Sequence, residues 1–297
     1  MRILSLLPSA TEIVCALGLE DQLVGVTHEC DWPEAVGAKP KVTASVLEAG
    51  TDPAEVDRRV AATVTAGDPI YRLDRDMVRR LRPDLVITQD LCAVCAVPSG
   101  HVHEALDALG CSAPVLSLDP SSLDEVLDSV VAVGRATGTE GRALELVDGA
   151  RRRLDRVREA VAGARTPPTF ALEWSDPPFN GGHWVPEMIA LAGGESVLGS
   201  RGAPSVRLEW DRIDDARPEV VLFMPCGYHL PEAVAEGVAL LDRPALAGAG
   251  RIVALDASAF FSRPGPRLVD GVEILAAVLH PGRVTPPPGP PAHQALR

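Results

Sequence analysis

Thiol and imidazole side chains are concentrated in short segments that follow apolar, strand-like runs. Cys92 and Cys95 form a C-x-x-C after DLVITQD, and an H-x-C follows LVGVT. The C-x-x-C could form half of a zinc or iron–sulfur site, with the H-x-C supplying the further ligands. It could also be a redox pair of thiols. It also fits small thiols that pack at a strand-to-helix turn without a metal. The candidate metal set, with zinc as the first candidate ion, is His28, Cys30, Cys92 and Cys95.

A second group of residues surrounds the sequence NGGHW. His183 follows two glycines, which let the backbone approach a ligand closely. A neutral imidazole there could ligate cobalt, iron or zinc, or it could be a histidine at a helix entry that bonds to backbone. Arg263 could pair with a ligand carboxylate or phosphate, or could form a surface ion pair.

Aromatic side chains are scarce but are not evenly spread. They make up 4% of the chain, and three of the four tryptophans lie on or just before the segments that follow apolar runs. Flat side chains suit a macrocycle or another aromatic ligand, although any single one could instead pack in the core. The candidate ligand-binding residues are Trp32, Tyr71, Glu173, Trp174, Phe179, His183, Trp184, Phe261 and Arg263.

Charge and composition exclude several function classes. The 297 residues carry a formal net charge of -13, which argues against a general nucleic-acid binder and against attraction to an anionic membrane surface. No apolar run of about 18 residues occurs, so the sequence predicts no membrane span. It also lacks the nucleophile elbow, the phosphate-binding loop and the dinucleotide fingerprint of common enzyme classes. A binding protein is therefore favoured over an enzyme.

The alternation of strand-like and helical segments predicts an α/β fold with a mostly parallel sheet. RILSLL is followed by the helical SATEIVCALG, in which Ser9 can cap the helix with Glu12 three residues on. DLVITQD and APVLSL each follow a helical stretch. In open sheets of this kind, ligands gather beyond the carboxyl ends of the strands, where most of the candidate residues fall.

The same pattern divides the chain into four segments. Residues 1–121 form an N-terminal α/β lobe, residues 122–164 a helical connector and residues 165–283 a C-terminal α/β lobe. Residues 284–297 are Pro-rich and are expected to be a disordered tail. The two lobes echo each other, because LRPDLVITQD matches ARPEVVLFMP and SATEIVCALG matches VPEMIALAGG. Two matching pairs in the same order suggest a duplicated lobe.

Several of these motifs resemble one known family, the cobalamin and iron-siderophore substrate-binding proteins of ABC importers, and most of all its cobalamin-binding branch. The resemblance covers about residues 1–283 and rests on RILSLLPSATEIVCALGLEDQLVGVT, LRPDLVIT, DPPFNGGHWVPEMIALAGGESVLG and SRPGPRLVDGVEIL. It implies a two-lobed substrate-binding-protein fold with a long connecting backbone helix and a ligand in the cleft between the lobes. It also implies a corrinoid or another metal chelate as the ligand and an ABC permease as the partner class.

The N-terminus departs from the exported members of that family, which carry a signal or a lipoprotein cysteine. The first 18 residues, MRILSLLPSATEIVCALG, show neither pattern. We therefore expect a cytoplasmic protein of a signal-less subgroup, with the six cysteines as free thiols or metal ligands. Two functions stay open. One is a binding protein for a corrinoid or another metal chelate, and the other is a cytoplasmic enzyme or metal-handling protein that uses the Cys/His set, with Cys226 as a further candidate.

Overall fold

The chain forms two compact units, each with its own sheet. The computed structural model describes residues 1–45, 52–66, 71–89 and 113–297. Unit 1 comprises Met1–Pro120 and Leu127–Val147, and unit 2 comprises Ser121–Val126 and Asp148–Arg297. Both combine a largely parallel sheet with helices, which confirms the predicted α/β fold with two sheet-containing lobes.

Unit 1 contains a parallel sheet and a small antiparallel pair of strands. Its strands are β1 (Ile3–Ser5), β2 (Leu23–Gly25), β3 (Thr43–Ser45), β4 (Tyr71–Leu73), β5 (Leu85–Thr88) and β6 (Val115–Ser117). Its helices include α1 (Pro8–Ala16), α2 (Pro53–Ala66) and α3 (Arg75–Leu81), with short 3-10 helices at Glu20–Gln22 and Glu34–Ala38. The parallel sheet has the order β2, β1, β5, β6, and β3 pairs with β4. Strands β1 and β5 are buried along their whole length, as expected for a sheet covered on both faces.

Two helices occupy the predicted connector, residues 122–164. They are α4 (Leu123–Thr137) and α5 (Glu140–Val161). Each helix belongs partly to unit 1 and partly to unit 2, and the boundary falls after Val126 in α4 and after Val147 in α5. The first turn of α4 belongs to unit 2, where the Leu123 N–H donates to Glu187 Oε2 at 3.0 Å. The connector is therefore not a third body but two helices whose ends belong to different units.

Unit 2 contains a six-stranded mixed sheet. Its strands are β7 (Pro168–Ser175), β8 (Pro178–Asn180), β9 (Glu195–Ser196), β10 (Val220–Phe223), β11 (Arg251–Leu255) and β12 (His293–Ala295). Its helices include α6 (Val185–Leu191), α7 (Trp210–Ala216), α8 (Leu230–Gly237), α9 (Ala257–Phe260) and α10 (Leu268–Leu279), with 3-10 helices at Val238–Asp242 and Pro244–Leu246. Strands β9, β7, β10 and β11 run parallel, while β8 and β12 are antiparallel to their neighbours. No helix in the described ranges combines the length and the apolar character that a bilayer crossing requires.

The repeated sequence takes the same local structure in both units. Helix α3 ends at Arg82 and α7 at Arg217, and both residues are left-handed, with φ of 42° and 45°. A proline follows each arginine and prevents the helix from continuing, and a wholly buried strand, β5 or β10, comes next. The order β2-β1-β5-β6 in unit 1 also parallels the order β9-β7-β10-β11 in unit 2. These matches support the predicted duplication.

The C-terminal residues differ from the expected disordered tail over 284–297. Strand β12 pairs antiparallel with β11, and the side chain of Leu296 packs against the apolar core of unit 2. The Arg297 guanidinium donates to the carbonyls of Leu246 and Leu241, both at 2.9 Å. The Pro-rich composition did not reveal this order, because the edge strand β11 offers backbone hydrogen-bond partners and pairing with them needs few apolar side chains.

An ion cluster ties the second half of α5 to α10 within unit 2. The Arg153 guanidinium donates to both carboxylate oxygens of Glu273, at 2.9 and 2.6 Å, and to Asp270. The hydrogen bonds from Glu273 are the main reason that the pKa of Arg153 lies above its ordinary value. The Arg153 side chain is 32% exposed, so solvent screens the cluster only in part.

We expect Arg153→Met to destabilise unit 2 by about 1–2 kcal/mol, because it leaves two half-buried carboxylates without their shared cation. Arg158→Met is the matched control, since Arg158 lies on the same helix in an exposed pair with Asp155 and should contribute less than about 0.5 kcal/mol. The urea midpoints of the two variants measure the difference. Equal midpoints would show that the cluster adds nothing beyond a surface ion pair.

Candidate functional site

The carboxyl ends of β7, β10 and β11 bring polar and aromatic side chains to one edge of the unit 2 sheet. The rings of Trp174 and Tyr228 meet edge to face, with their centroids 5.7 Å apart and an interplanar angle of 77°. His229 Nδ1 lies 3.1 Å from Asp256 Oδ1, and Asp256 also caps α9 by accepting the Ala259 N–H at 2.8 Å. The edge therefore presents an aromatic pair next to a histidine–carboxylate pair.

The loop between β8 and α6 holds His183 in an unusual backbone conformation. His183 has a φ of 51°, in the left-handed region that favours glycine. Its N–H donates to the Ala203 carbonyl at 2.6 Å, and its carbonyl accepts the Gly202 N–H at 2.9 Å. A Cβ on Gly182 would lie 2.2 Å from the Ser205 nitrogen, so only glycine fits there. The second glycine of NGGHW is thus required by a close backbone approach.

The imidazole of His183 is half-buried and has no hydrogen bond from either ring nitrogen within the described residues. Its ring centroid lies 5.6 Å from that of Trp184. Burial lowers the pKa of His183 from its ordinary value of 6.5, so the ring is neutral at pH 7. A neutral imidazole is the form that coordinates a metal. The predicted alternative, a histidine bonded to backbone, applies to its main chain only.

Glu173 supports this loop from β7. Its Oε1 accepts the Gly182 N–H at 3.3 Å, and its Oε2 accepts the Ser205 hydroxyl. The carboxylate thus connects Gly182, the residue before His183, with Ser205, which lies in the segment packed against that loop. The predicted ligand-binding residue Glu173 has the contacts of a positioning residue.

Two of the predicted aromatic residues lie in the packed interior of unit 2. Trp184 is 6% exposed and Phe261 is 2% exposed, and the Trp184 indole N–H donates to the Phe261 carbonyl at 2.8 Å. Phe179 is half-buried and lies opposite Trp174 in the β7–β8 ladder. The sequence could not distinguish buried from open aromatic side chains here, because these residues all lie near the ends of apolar, strand-like runs.

Arg263 lies close to the same edge of the sheet. Its guanidinium donates to the Ser258 hydroxyl at 3.1 Å, and the Ser258 N–H donates to the Tyr228 carbonyl at 2.9 Å. These contacts connect the segment after α9 with the loop after β10. Sequence reasoning did not select Tyr228, His229 or Asp256, although each follows β10 or β11 and the rule about strand ends could have found them.

Unit 1 brings a different set of predicted residues together. His28 Nδ1 lies 2.8 Å from the Thr43 hydroxyl, and the His28 ring centroid lies 5.3 Å from that of Tyr71. The Tyr71 hydroxyl donates to Glu29 Oε1 at 3.0 Å. Burial lowers the pKa of His28 from its ordinary value, and the carboxylate of Glu29 opposes that shift. Trp32 is 50% exposed, which is unusual for an indole.

The predicted metal set receives no support from the described residues. Cys30 is 2% exposed, and its sulfur lies 3.1 Å from the hydroxyls of Thr11 and of Thr27. Burial raises the pKa of the Cys30 thiol, whereas metal ligation requires a thiolate. No group of three or more histidine, cysteine or acidic residues suited to a metal ion occurs in the parts of the chain that the structure describes. Cys92 and Cys95 lie outside those parts.

Comparisons with known proteins agree on the family. The family model described as periplasmic binding protein matches residues 3–256. A vitamin B12-binding protein from Yersinia pseudotuberculosis serotype O:3 (strain YPIII) is 24% identical over 224 residues, which are 74% of this chain and 68% of that protein.

Solved structures show the same fold. The periplasmic vitamin B12 binding protein of Vibrio cholerae has a TM-score of 0.67 and 23% identity, over 94% of this chain and 96% of its own. A periplasmic heme binding protein from Pseudomonas aeruginosa has a TM-score of 0.71 and 22% identity, over 99% of this chain and 97% of its own. Both are described as periplasmic, so these comparisons do not support the expected cytoplasmic location, which stays a prediction. Since the family model spans most of its length, the chain belongs to the periplasmic binding protein family.

Proposed function

We propose that the chain is a solute-binding protein for a planar metal chelate, with a corrinoid as the first candidate. Family membership favours the binding of a small solute. The vitamin B12-binding relatives and the heme-binding structural neighbours suggest which solutes to test first. An ABC permease is the partner class that this proposal implies, as in the family resemblance.

The imidazole of His183 is the single observation that carries the proposal. In a planar chelate, an axial position of the metal that is open or holds an exchangeable ligand such as water can accept a ligand from the protein. His183 offers a neutral, half-buried ring with no hydrogen bond to either nitrogen in the described residues, on a backbone that is held from both sides. The backbone of such a residue loses little freedom when its ring coordinates a metal, because the protein already holds that backbone in place.

Aromatic side chains supply the second part of a chelate site. Trp174 and Tyr228 form an edge-to-face pair at the carboxyl end of the unit 2 sheet, and both are only half-buried. Open aromatic surfaces of this size suit a flat, partly apolar macrocycle. They are less suited to a bare cation, which needs a closed set of charged ligands.

Titration of the purified protein with aquocobalamin, and separately with haemin, tests the proposal. The axial water of aquocobalamin can be exchanged, so imidazole coordination changes its visible spectrum. We expect saturable binding of at least one of the two chelates with a stoichiometric end point. If neither chelate binds at protein and ligand concentrations of about 10–100 μM, the proposed function is wrong.

His183→Ala should weaken binding of the chelate by about 10–100-fold, because it removes one metal ligand. It should also abolish the spectral shift. His280→Gln is the control, since the His280 ring bonds to the Gly193 carbonyl at 3.2 Å, beyond the C-terminal end of α6, whereas His183 precedes the N-terminal end of that helix. Unchanged spectra in His183→Ala would show that His183 does not coordinate the metal.

The affinity for the chelate should depend on pH through the same imidazole. The pKa of His183 is lowered from 6.5, so the ring stays neutral to a lower pH than an ordinary histidine, and protons compete with the metal only below that value. At lower pH, protons compete with the metal and the affinity falls as the pH passes through the lowered pKa. Equilibrium titrations at a series of pH values should show this fall in the wild type and in His280→Gln, and no such fall in His183→Ala.

A further inference from the structure

Helix α1 begins directly after β1, at the carboxyl edge of the unit 1 sheet, and its first turn is not capped. The sequence suggested Ser9 as the capping residue. In the structure Leu7 is the N-cap, Pro8 takes the first helical position and Ser9 the second, and no side chain bonds to the open N–H groups. Proline is favoured at the first position because its fixed φ suits the helix and it has no N–H to satisfy.

The open groups at this helix start are buried. Ser9 is 2% exposed and Ala10 is 0% exposed. Neither backbone N–H, nor the Ser9 hydroxyl, forms a hydrogen bond within the described residues; the first N–H with a partner is that of Thr11, which donates to the Leu7 carbonyl at 3.3 Å. Buried donors without an acceptor are rare in native proteins and call for an explanation.

Gln89 provides an independent observation at the same place. It follows β5, is 4% exposed, and its side-chain amide forms no hydrogen bond in the part of the chain that the structure describes. Strands β1 and β5 pair in register with Ser5 opposite Ile87, so Gln89 lies at the level of Leu7. Side chains alternate along a strand, so Ile87 and Ser5 lie on the face that α1 covers through the bond between Thr11 and Ser5, and Gln89 would continue on that face if the alternation extends past the end of β5.

The turn that presents these donors is held in place. The Ser5 hydroxyl donates to the Leu7 carbonyl at 2.9 Å and accepts from the Thr11 hydroxyl at 2.8 Å. The sulfur of Cys30 lies 3.1 Å from that same Thr11 hydroxyl. This network gives the buried Cys30 thiol a structural role. It also keeps the helix start from rearranging to satisfy its own N–H groups.

We propose that the start of α1, together with Gln89, is a binding site for an oxyanion, a carboxylate or a phosphate. Two backbone N–H groups and the Ser9 hydroxyl can all donate, and the helix dipole places about half a positive charge there. The carboxylate of Glu12, buried one turn further along α1, has other contacts, and its charge limits how tightly an anion binds. A metal ion is excluded, because the site offers it few acceptors.

The inference rests on the proposed function only for the source of the oxyanion. A corrinoid with its nucleotide loop carries a phosphodiester, and a haem carries propionate carboxylates. The existence of the oxyanion site can be tested with inorganic phosphate alone, without any chelate.

The first test is a titration of the full chain with inorganic phosphate, followed by the amide chemical shifts of Ser9 and Ala10. We expect both amides to shift in a saturable way at millimolar phosphate. Ser9→Asp should abolish the response, because it places a fixed carboxylate at the donors, a charge that a helix start tolerates. Thr139→Asp is the matched control, since it adds the same charge at the start of α5, and it should respond as the wild type does. No amide shift in the wild type, or an unchanged titration in Ser9→Asp, would overturn the inference.

The second test identifies the source with two ligand pairs. Cyanocobalamin is compared with cobinamide, which lacks the phosphodiester, and gallium protoporphyrin with its dimethyl ester. We expect the ligand that lacks the oxyanion to bind about tenfold more weakly within the pair that the protein recognises, and Ser9→Asp to remove that difference. Equal affinities within the recognised pair would overturn the inference and leave the proposed function intact. If no chelate binds while phosphate still shifts the amides, the proposed function fails and the oxyanion site stands.

Discussion

Parallel pairing along both edges of β10 is the interaction on which unit 2 depends. All four residues of β10 are buried, and the strand is in register with β7 on one side and with β11 on the other. Because the three strands run in the same direction, the chain leaves all of them at one edge. Trp174, Tyr228 and Asp256 lie at that edge for this reason. The location of the site therefore follows from the direction of the strands, and the loops determine which side chains lie there.

Backbone strain at His183 is the second constraint. A left-handed residue with a Cβ costs about 1–2 kcal/mol, so it persists only where the surroundings enforce it. Here two backbone hydrogen bonds hold its main chain, and Glu173 holds the adjacent Gly182. The backbone that carries the imidazole is thereby fixed before any ligand binds. This combination of strain, rigid support and a ring without hydrogen bonds distinguishes His183 from His280, whose ring bonds to a backbone carbonyl.

The elements that depend on a local sequence pattern could be predicted from the sequence. The buried strands β5 and β10, and the helix ends that precede them at Arg82 and Arg217, follow from apolar runs and from proline chemistry. The edge of the sheet where ligands gather follows from strand direction. Features that depend on distant contacts were not predictable. The hydroxyl partners of Cys30 come from two separate segments, and β12 forms because the edge of β11 accepts it. Local pattern also suggested Ser9 as the helix cap, but the proline before it takes the first helical position.

The two sheets share a strand order, yet they present different chemistry because their first loops differ. In unit 1 the chain enters α1 within three residues of β1, and buried N–H donors remain at the helix start. In unit 2 the chain makes the β7–β8 hairpin and the glycine loop before α6, and this longer route introduces His183. Hydrogen-bond donors repel a bare cation, and a neutral imidazole contributes little to an organic anion that has no metal. The proposed features of the two units therefore favour different chemical groups: the donors at the start of α1 favour an oxyanion, and the imidazole of His183 favours a metal.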